Sequence, residues 1–263
     1  MPTKNGKGCI FCGGTPLTKE HLWPAWMQRA FAIKDGFAHR HQTEVNGIET
    51  RDIAFETPPL TLVVKSVCGP CNNGWMSEME AAAKPILEPL LRFSGRRLHR
   101  REQRTLANWA LLKAIVLDET HPDSRAILPE HADYLYRHHT LPDSGCWAWM
   151  ATYNVEQELV HYAYQGLQLT EPDSTQQPEF PTAYVVTLSA GPVVFQIAGT
   201  SLPDLSWEGV VFPQIDAVTL WPTSSSVEYR QRVAMNTSTL KVFSTTLYDY
   251  LLQRSSPKGP NAV

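Results

Sequence analysis

The alternation of apolar and polar positions over the first 90 residues predicts four strands and two helices. Strand character is concentrated in four runs, at 17–21, 39–45, 48–55 and 60–67. Asn46-Gly47 separates the second run from the third, which is typical of a tight β-hairpin. Apolar residues recur at helical spacing after Pro24 and again between Gly74 and Pro85. The pattern therefore indicates a ββα unit with a helix and a hairpin inserted between its two strands.

The rest of the chain predicts an α+β arrangement with a mostly antiparallel sheet. Helical spacing of apolar positions covers 99–119, 129–136 and 240–251. Strands are predicted at 146–153, 158–165, 183–188, 193–198 and 217–221, with a hairpin turn at 189–192. We expect a zinc-binding domain over residues 1–90, an α+β domain over 91–254 and a flexible tail over 255–263.

Composition favours a soluble protein of a reducing compartment. The chain of 263 residues is 43% hydrophobic and 19% charged, and it contains five cysteines. No apolar run approaches the ~20 residues that a membrane span needs, and the N-terminus does not resemble a signal peptide. We therefore expect a cytoplasmic protein that does not bind membranes. The unpaired Cys146 lies in the strand-like run Cys146–Met150, and we expect it to be a buried thiol.

Four of the five cysteines form two Cys-x-x-Cys pairs, Cys9/Cys12 and Cys68/Cys71. Two such pairs supply the four thiolates of a tetrahedral zinc site and join distant segments of the chain. The alternative is four buried thiols without a metal. Because a zinc ion with four cysteine ligands has no open position, we expect it to be structural, and hydrolytic chemistry would require a second, harder metal ion.

Charge is distributed unevenly along the chain, whose net charge is −3. Residues 1–104 contain 15 Lys and Arg against 10 Asp and Glu, and the remainder of the chain contains 8 against 16. Four arginines fall at helical spacing and predict one basic face that contacts a phosphate backbone: Arg97, Arg100, Arg101 and Arg104. The alternatives are a solvated helix start and pairing with acids of the C-terminal half.

The cysteine pairs and their neighbours resemble the zinc-containing form of the HNH, or ββα-metal, nuclease superfamily. Three motifs within residues 8–84 carry the resemblance: Cys9-Ile10-Phe11-Cys12, Thr18-Lys19-Glu20-His21 and Cys68-Gly69-Pro70-Cys71-Asn72. They are most similar to the branch of phage endonucleases that resolve DNA junctions. In that branch an acid–His pair and an Asn directly after the last zinc cysteine build the site.

The resemblance implies a role for each matching residue. Glu20 and Asn72 would bind a catalytic Mg²⁺ or Mn²⁺, and His21 would be the general base for attack of water on phosphorus. This is chemically consistent, because imidazole accepts protons at neutral pH and a hard divalent ion stabilises charge on phosphate oxygens. Glu78 and Glu80, on the following helix, are further candidate metal ligands, with Glu78 closer to the site in sequence, and their alternative is a solvated helix face. For Glu20-His21 the alternative is a hydrogen-bonded pair ahead of a helix.

The sequence thus predicts a metal-dependent endonuclease of a bacterium or phage that acts on duplex or branched DNA. One departure from the family pattern supports a different prediction. The superfamily usually carries an Asn a few residues before the second cysteine pair, and the run Val63–Val67 contains none. The alternative function is a catalytically degenerate, zinc-stabilised module that binds nucleic acid or protein. The pattern does not indicate an oligomeric state.

Overall fold

The computed structural model confirms the α+β class. It describes residues 8–31, 37–45, 48–57, 60–92, 94–120, 125–155, 159–168, 181–210, 212, 215–223, 225–229 and 234–255, with backbone alone over 37–57, at 248 and over 251–255. The strands are β1 Leu17–His21, β2 Phe37–Val45, β3 Ile48–Thr57, β4 Val63–Cys68, β5 Arg96–Leu98, β6 Cys146–Thr152, β7 Val160–Leu167, β8 Ala183–Ala190, β9 Val193–Thr200, β10 Val218–Trp221 and β11 Val227–Tyr229. The helices are α1 Ala25–Phe31, α2 Gly69–Cys71, α3 Ser77–Leu91, α4 Arg100–Asp118, α5 Pro129–His138 and α6 Thr237–Ser255, and a π-helical turn covers Asn72–Met76.

A seven-stranded sheet with the strand order β10-β6-β9-β8-β7-β2-β3 forms the centre of the fold. Successive residues of β6 belong to different cores: Ala148 and Met150 pack in the cluster that contains α4, whereas Trp147 and Trp149 pack in the cluster that contains α6. Both faces of the central strands are therefore buried, which explains their almost uninterrupted apolar sequences. Helix α4 is correspondingly buried along most of its length.

The predicted hairpin is present, and it extends this central sheet. Strands β2 and β3 pair antiparallel, and β2 also pairs with β7 in parallel, with His41 opposite Tyr162. The apolar cluster around α4 likewise contains residues on both sides of position 90. The expected boundary at residue 90 thus separates segments that share a sheet and a core, and their division into folding domains stays a prediction. The turn Asn46-Gly47 and the tail beyond Ser255 lie outside the described residues.

The two strands of the predicted ββα unit pair as expected. Strand β1 runs antiparallel to β4, with a register shift between Thr18 and Glu20. Helix α2 starts directly after Cys68, and Gly74 has non-helical backbone angles at the kink before α3. A register shift of this kind changes the direction in which neighbouring side chains point. The unit thus brings the beginning of β1 close to the beginning of the helical segment, since Leu17 pairs with Cys68.

Three local predictions were wrong in their detail. Helix α3 does not end at Pro85 but continues through Pro85 and Pro89 to Leu91. Its buried residues Ala83, Ile86, Leu87, Leu90 and Leu91 lie in the core, and this packing outweighs the backbone hydrogen bonds that proline cannot donate. Strands β5 and β11 were not predicted. Arg97 lies on β5 rather than on a helix, since α4 begins at Arg100.

Within the described residues, no helix is both long enough and apolar enough to span a membrane.

Candidate functional site

The four paired cysteines converge on one point. The sulfurs of Cys9, Cys12, Cys68 and Cys71 all lie within 4.8 Å of one another. The Sγ atom of Cys12 is 3.4 Å from that of Cys68 and 3.5 Å from that of Cys71. In a tetrahedral zinc–thiolate site the Zn–S distance of ~2.3 Å places sulfurs about 3.8 Å apart. The four cysteines therefore have the spacing and the donor set to bind a metal ion such as zinc.

The loop directly after the first pair of cysteines is shaped by two glycines. Gly13 has a φ of +72° and donates its N–H to the carbonyl oxygen of Cys9 at 2.8 Å. A Cβ atom on Gly14 would lie 3.2 Å from the Cys12 sulfur. Gly13 adopts a left-handed backbone conformation, and Gly14 lets the chain pass close to the cysteine sulfurs. Both positions therefore favour glycine.

The cysteines differ in how readily they ionise without a metal. Burial opposes ionisation of Cys12, but hydrogen bonds from the Gly14 N–H and the neighbouring thiols outweigh it and lower its pKa. Burial raises the pKa of Cys68 and Cys71. A bound metal ion would keep all four sulfurs as thiolates, so metal binding releases protons and weakens as the pH falls.

Aromatic side chains cover the cysteine cluster. Trp75 contacts Phe11 edge to face at a centroid distance of 4.9 Å, and it stacks on His139 at 5.2 Å. Tyr136 packs against Phe11 and Trp75. These contacts join the cysteine cluster to α5. Trp23 and Trp75 are buried in the same apolar core.

Glu20 is buried and forms an ion pair that the sequence did not reveal. Its Oε1 atom lies 3.0 Å from Nζ of Lys113, which also donates to the main-chain oxygen of His21 at 3.3 Å and to Oε1 of Glu80. The Lys113 side chain has no exposed surface, and that of Glu20 is 9% exposed. Removing one partner from a buried ion pair typically costs about 3–5 kcal/mol of folding stability. The end of β1 is therefore fastened to α3 and α4.

His21 and Asn72 are both associated with strand β1. His21 is exposed at the last position of the strand. The Nδ2 atom of Asn72 donates to Lys19 O at 3.2 Å and to Thr18 Oγ1 at 3.1 Å. The structure thus places Asn72 beside the first part of β1 and His21 at the exposed last position of that strand, whereas the Glu20 side chain is buried.

The predicted hard-metal ligands are not joined by any contact in the described part of the chain. Glu20 contacts Lys113, Asn72 contacts β1, and Glu78 is exposed on the first turn of α3. As placed, Glu20 does not offer Oε1 to a metal ion. Glu80 rather than Glu78 lies near Glu20, because both carboxylates bind the Lys113 ammonium. The sequence contained one signal of this cluster: a lysine among the apolar positions that recur every three or four residues along α4.

The four arginines do not form one helical face. Arg97 lies on β5 with its side chain 64% exposed and is 4.0 Å from Glu228, so it pairs with an acid of the C-terminal half. Arg100, Arg101 and Arg104 are exposed on the first two turns of α4. The arginines still occupy neighbouring positions at one end of this helix, because β5 leads directly into it.

A separate cavity of about 660 Å³ lies beside the start of β6. His131 and Cys146 are among its lining residues, together with Glu130, Asp143 and Glu208. Nδ1 of His131 is 3.0 Å from the Tyr184 hydroxyl, which is 3.9 Å from the Cys146 sulfur. Burial lowers the pKa of His131 to about 4 and raises that of Cys146 to about 12. Cys146 is thus the inert buried thiol that the sequence predicted.

We expect His131 to make the protein less stable in acid. Its folded-state pKa of about 4 lies below the ordinary value of 6.5, so its stabilising contribution is present above pH 6.5 and is lost as the pH falls towards 4. The full loss is on the order of 3 kcal/mol. Urea unfolding of the wild type and of His131→Asn, which keeps a polar atom near Tyr184, measures this between pH 7 and pH 4.

The wild type should lose stability relative to His131→Asn over that range. Asp118 has the opposite effect on the pH dependence of stability, because burial raises its pKa to about 7. It is present in both proteins, so its effect cancels in the difference between them. A stability difference that does not change with pH would contradict the prediction.

Comparison with models of known protein families, with curated proteins and with solved structures gave no match to this chain.

Proposed function

We propose that this protein is a metal-dependent endonuclease of the HNH type that hydrolyses phosphodiester bonds in DNA. The observation that carries the proposal is the convergence of four cysteines beside β1, the strand that ends at His21 and that Asn72 contacts at Thr18 and Lys19. The antiparallel pair β1–β4, followed by a helical segment, supports the resemblance to a ββα unit. In this proposal the cysteines hold a structural Zn²⁺ and the exposed His21 is the general base.

In this proposal the hydrolytic metal ion would bind beside β1. The amide nitrogen of Asn72 faces β1, so its oxygen is directed away from the strand and is the atom suited to a hard cation. Glu20 is the second proposed ligand and becomes available only after its release from Lys113. When bound, Mg²⁺ or Mn²⁺ would stabilise the charge that develops on the phosphate.

A cleavage assay tests the proposal. Purified, zinc-loaded protein is incubated with single-stranded, duplex and branched DNA in the presence of Mg²⁺, of Mn²⁺ or of no added divalent ion. We expect cleavage that depends on the divalent ion and is lost in Asn72→Ala. The Asn73→Ala variant serves as a matched control, because Asn73 is the adjacent residue and is exposed. Cleavage that persists unchanged without added divalent ion would contradict a mechanism that depends on Mg²⁺ or Mn²⁺.

The arginines at the start of α4 are the proposed DNA contacts. Replacement of Arg97, Arg100, Arg101 and Arg104 by Gln should weaken binding and reduce the slope of log affinity against log salt by up to about 3.6, since each phosphate contact contributes ~0.9. The measurement is fluorescence anisotropy with labelled duplex DNA at several salt concentrations.

A control for total charge uses arginines elsewhere on the surface. Arg92 and Arg137 have side chains 67% and 64% exposed, and each pairs with an acid four residues earlier in the chain. The Arg92→Gln/Arg137→Gln protein loses the same charge as Arg101→Gln/Arg104→Gln. Only Arg101→Gln/Arg104→Gln should change the slope of log affinity against log salt. Equal slopes in the two double variants would show that the start of α4 does not bind DNA.

A second candidate function is a zinc-stabilised module that binds nucleic acid or protein without cleaving it. One observation favours it specifically: the carboxylate of Glu20 is engaged by Lys113, so a proposed metal ligand is already bound to a cation. The absence of an Asn within Val63–Val67 points in the same direction. DNA binding without cleavage across the metals and substrates of the assay would support this candidate.

A further inference from the structure

The cavity of about 660 Å³ beside the start of β6 has the size and the lining of a small-molecule site. It lies between the first turn of α5, the segment that leads into β6 and the segment that follows β9. Small-molecule sites measure roughly 300–1,000 Å³ and combine apolar walls with a few polar groups. Here Trp147 and Leu205 contribute apolar surface, and carboxylates, hydroxyls and one imidazole supply the polar groups.

The imidazole of His131 is buried, and one of its nitrogens is left for a ligand. His131 is 5% exposed, and its Nδ1 atom is 3.0 Å from the Tyr184 hydroxyl. Its Nε2 atom has no hydrogen-bond partner among the residues that the structure describes. A Cβ atom on Gly145 would lie 3.8 Å from Nε2, and both residues line the cavity. Nε2 therefore faces the cavity, where a ligand can supply the missing hydrogen bond.

Three carboxylates make the rim of this cavity acidic. Glu130, Asp143 and Glu208 are exposed, and none of them forms an ion pair with a described residue. No lysine or arginine is among the described residues that line the cavity. Burial lowers the pKa of His131 to about 4, so its imidazole is neutral at pH 7 and can accept a hydrogen bond. The lining therefore favours a cation.

The arrangement fits an organic cation better than a metal ion. In the described part of the chain, the four-cysteine cluster is the one group of three or more metal-ligating side chains that comes together. His131 and the rim carboxylates therefore do not converge on one small ion. An extended molecule with several ammonium groups can reach more than one of them, and Trp147 adds an aromatic surface that attracts such groups.

We propose that this cavity binds a small aliphatic di- or polyamine, with one ammonium group donating to Nε2 of His131 and another paired with the rim carboxylates. In the bound state Nδ1–H of His131 donates to the Tyr184 hydroxyl, which leaves Nε2 as the acceptor. The site lies outside the residues proposed for DNA cleavage and is independent of that function.

Binding of spermidine to the zinc-loaded, full-length protein tests the proposal. Calorimetry gives the affinities for spermidine, cadaverine, pentylamine and glutarate, and thermal unfolding gives their effects on Tm. We expect spermidine and cadaverine to bind and to raise Tm, and pentylamine, with a single ammonium, to bind about tenfold more weakly. The dianion glutarate should not bind. Failure of both spermidine and cadaverine to bind at millimolar concentration would overturn the proposal, as would equal binding of glutarate.

Two substitutions of His131 separate its nitrogens. The shorter amide of His131→Asn keeps a polar atom near Tyr184, whereas the longer amide of His131→Gln can replace Nε2. We expect His131→Asn to lower the affinity for spermidine by about tenfold or more and His131→Gln to retain most of it. Unchanged affinity in His131→Asn would contradict the role of Nε2.

The rim carboxylates provide a test at exposed positions, which holds even if the His131 variants do not fold. Asp143→Asn/Glu208→Gln should lower the affinity for spermidine by about tenfold or more. The matched control is Glu88→Gln/Asp133→Asn, which removes the same charge from side chains 41% and 40% exposed outside the cavity. Equal losses in the two double variants would reduce the effect to net charge and overturn the proposed site.

A lysine derivative distinguishes a free polyamine from a basic side chain of a partner protein. Nα-acetyl-lysine amide carries one ammonium on an aliphatic chain, so it should bind no more tightly than pentylamine. Tighter binding of this derivative than of spermidine would overturn the assignment to a free polyamine.

Discussion

Replacement of Cys68 by Ser should remove the zinc ion and unfold the N-terminal part of the chain. The variant is expected to fall from about one Zn²⁺ per chain to almost none, because three cysteines bind zinc far less tightly than four. Structural zinc contributes folding free energy directly, with apparent values of about 10–16 kcal/mol in zinc-finger peptides. The measurements are zinc content by elemental analysis and thermal unfolding followed by circular dichroism.

The fifth cysteine provides the control for this experiment. Cys146 is buried like Cys68, but it lies on β6, outside the four-cysteine cluster. Cys146→Ser should therefore retain its zinc even if its core packing is weakened. Wild-type protein without zinc, in which all four clustered thiols react freely in the folded state, would refute the zinc assignment.

Replacement of His21 by Ala should abolish DNA cleavage and leave the fold intact. Loss of a positioned general base typically lowers the rate by ~10²–10⁴. The imidazole of His21 is exposed, and Lys113 contacts only its main-chain oxygen, so zinc content, Tm and DNA affinity should remain close to those of the wild type. Single-turnover cleavage rates and anisotropy binding curves measure these effects separately.

His138 is a suitable control residue for that substitution. It is exposed near the end of α5 and contacts Tyr134 on the same helix. His138→Ala should cleave DNA at nearly the wild-type rate. Wild-type activity in the His21→Ala protein would falsify the assignment of His21 as the base. A wild type that binds DNA without cleaving it, whatever the metal, would favour the non-catalytic module.

Local sequence was sufficient to predict most of the elements. Strand β1, the hairpin β2–β3 and helix α4 follow from periodicities and turn residues that act over a few positions, and they were predicted to within a few residues. The convergence of Cys9, Cys12, Cys68 and Cys71 was also predictable. Paired thiolates have a chemical use that requires them to meet, so their spacing carries information about a contact between distant segments.

Other features were decided by contacts between distant segments. The sequence predicted that the helix after Gly74 ends at Pro85, but packing of α3 in the core extends it to Leu91. Arg97 belongs to β5 because β11, which follows it by about 130 residues, provides its strand partner. Such pairings depend on tertiary structure, which overrides local propensity.

The sequence by itself determined the classes of element, the cysteine cluster and the identity of the polar residues near it. Only the tertiary structure decided what each of those residues contacts. Asn72 donates to the main-chain oxygen of Lys19, whereas Glu20 meets Lys113, which is 93 residues away along the chain. The reason is physical: a buried charge must find a partner in three dimensions, and nothing in the local pattern of either residue specifies that partner.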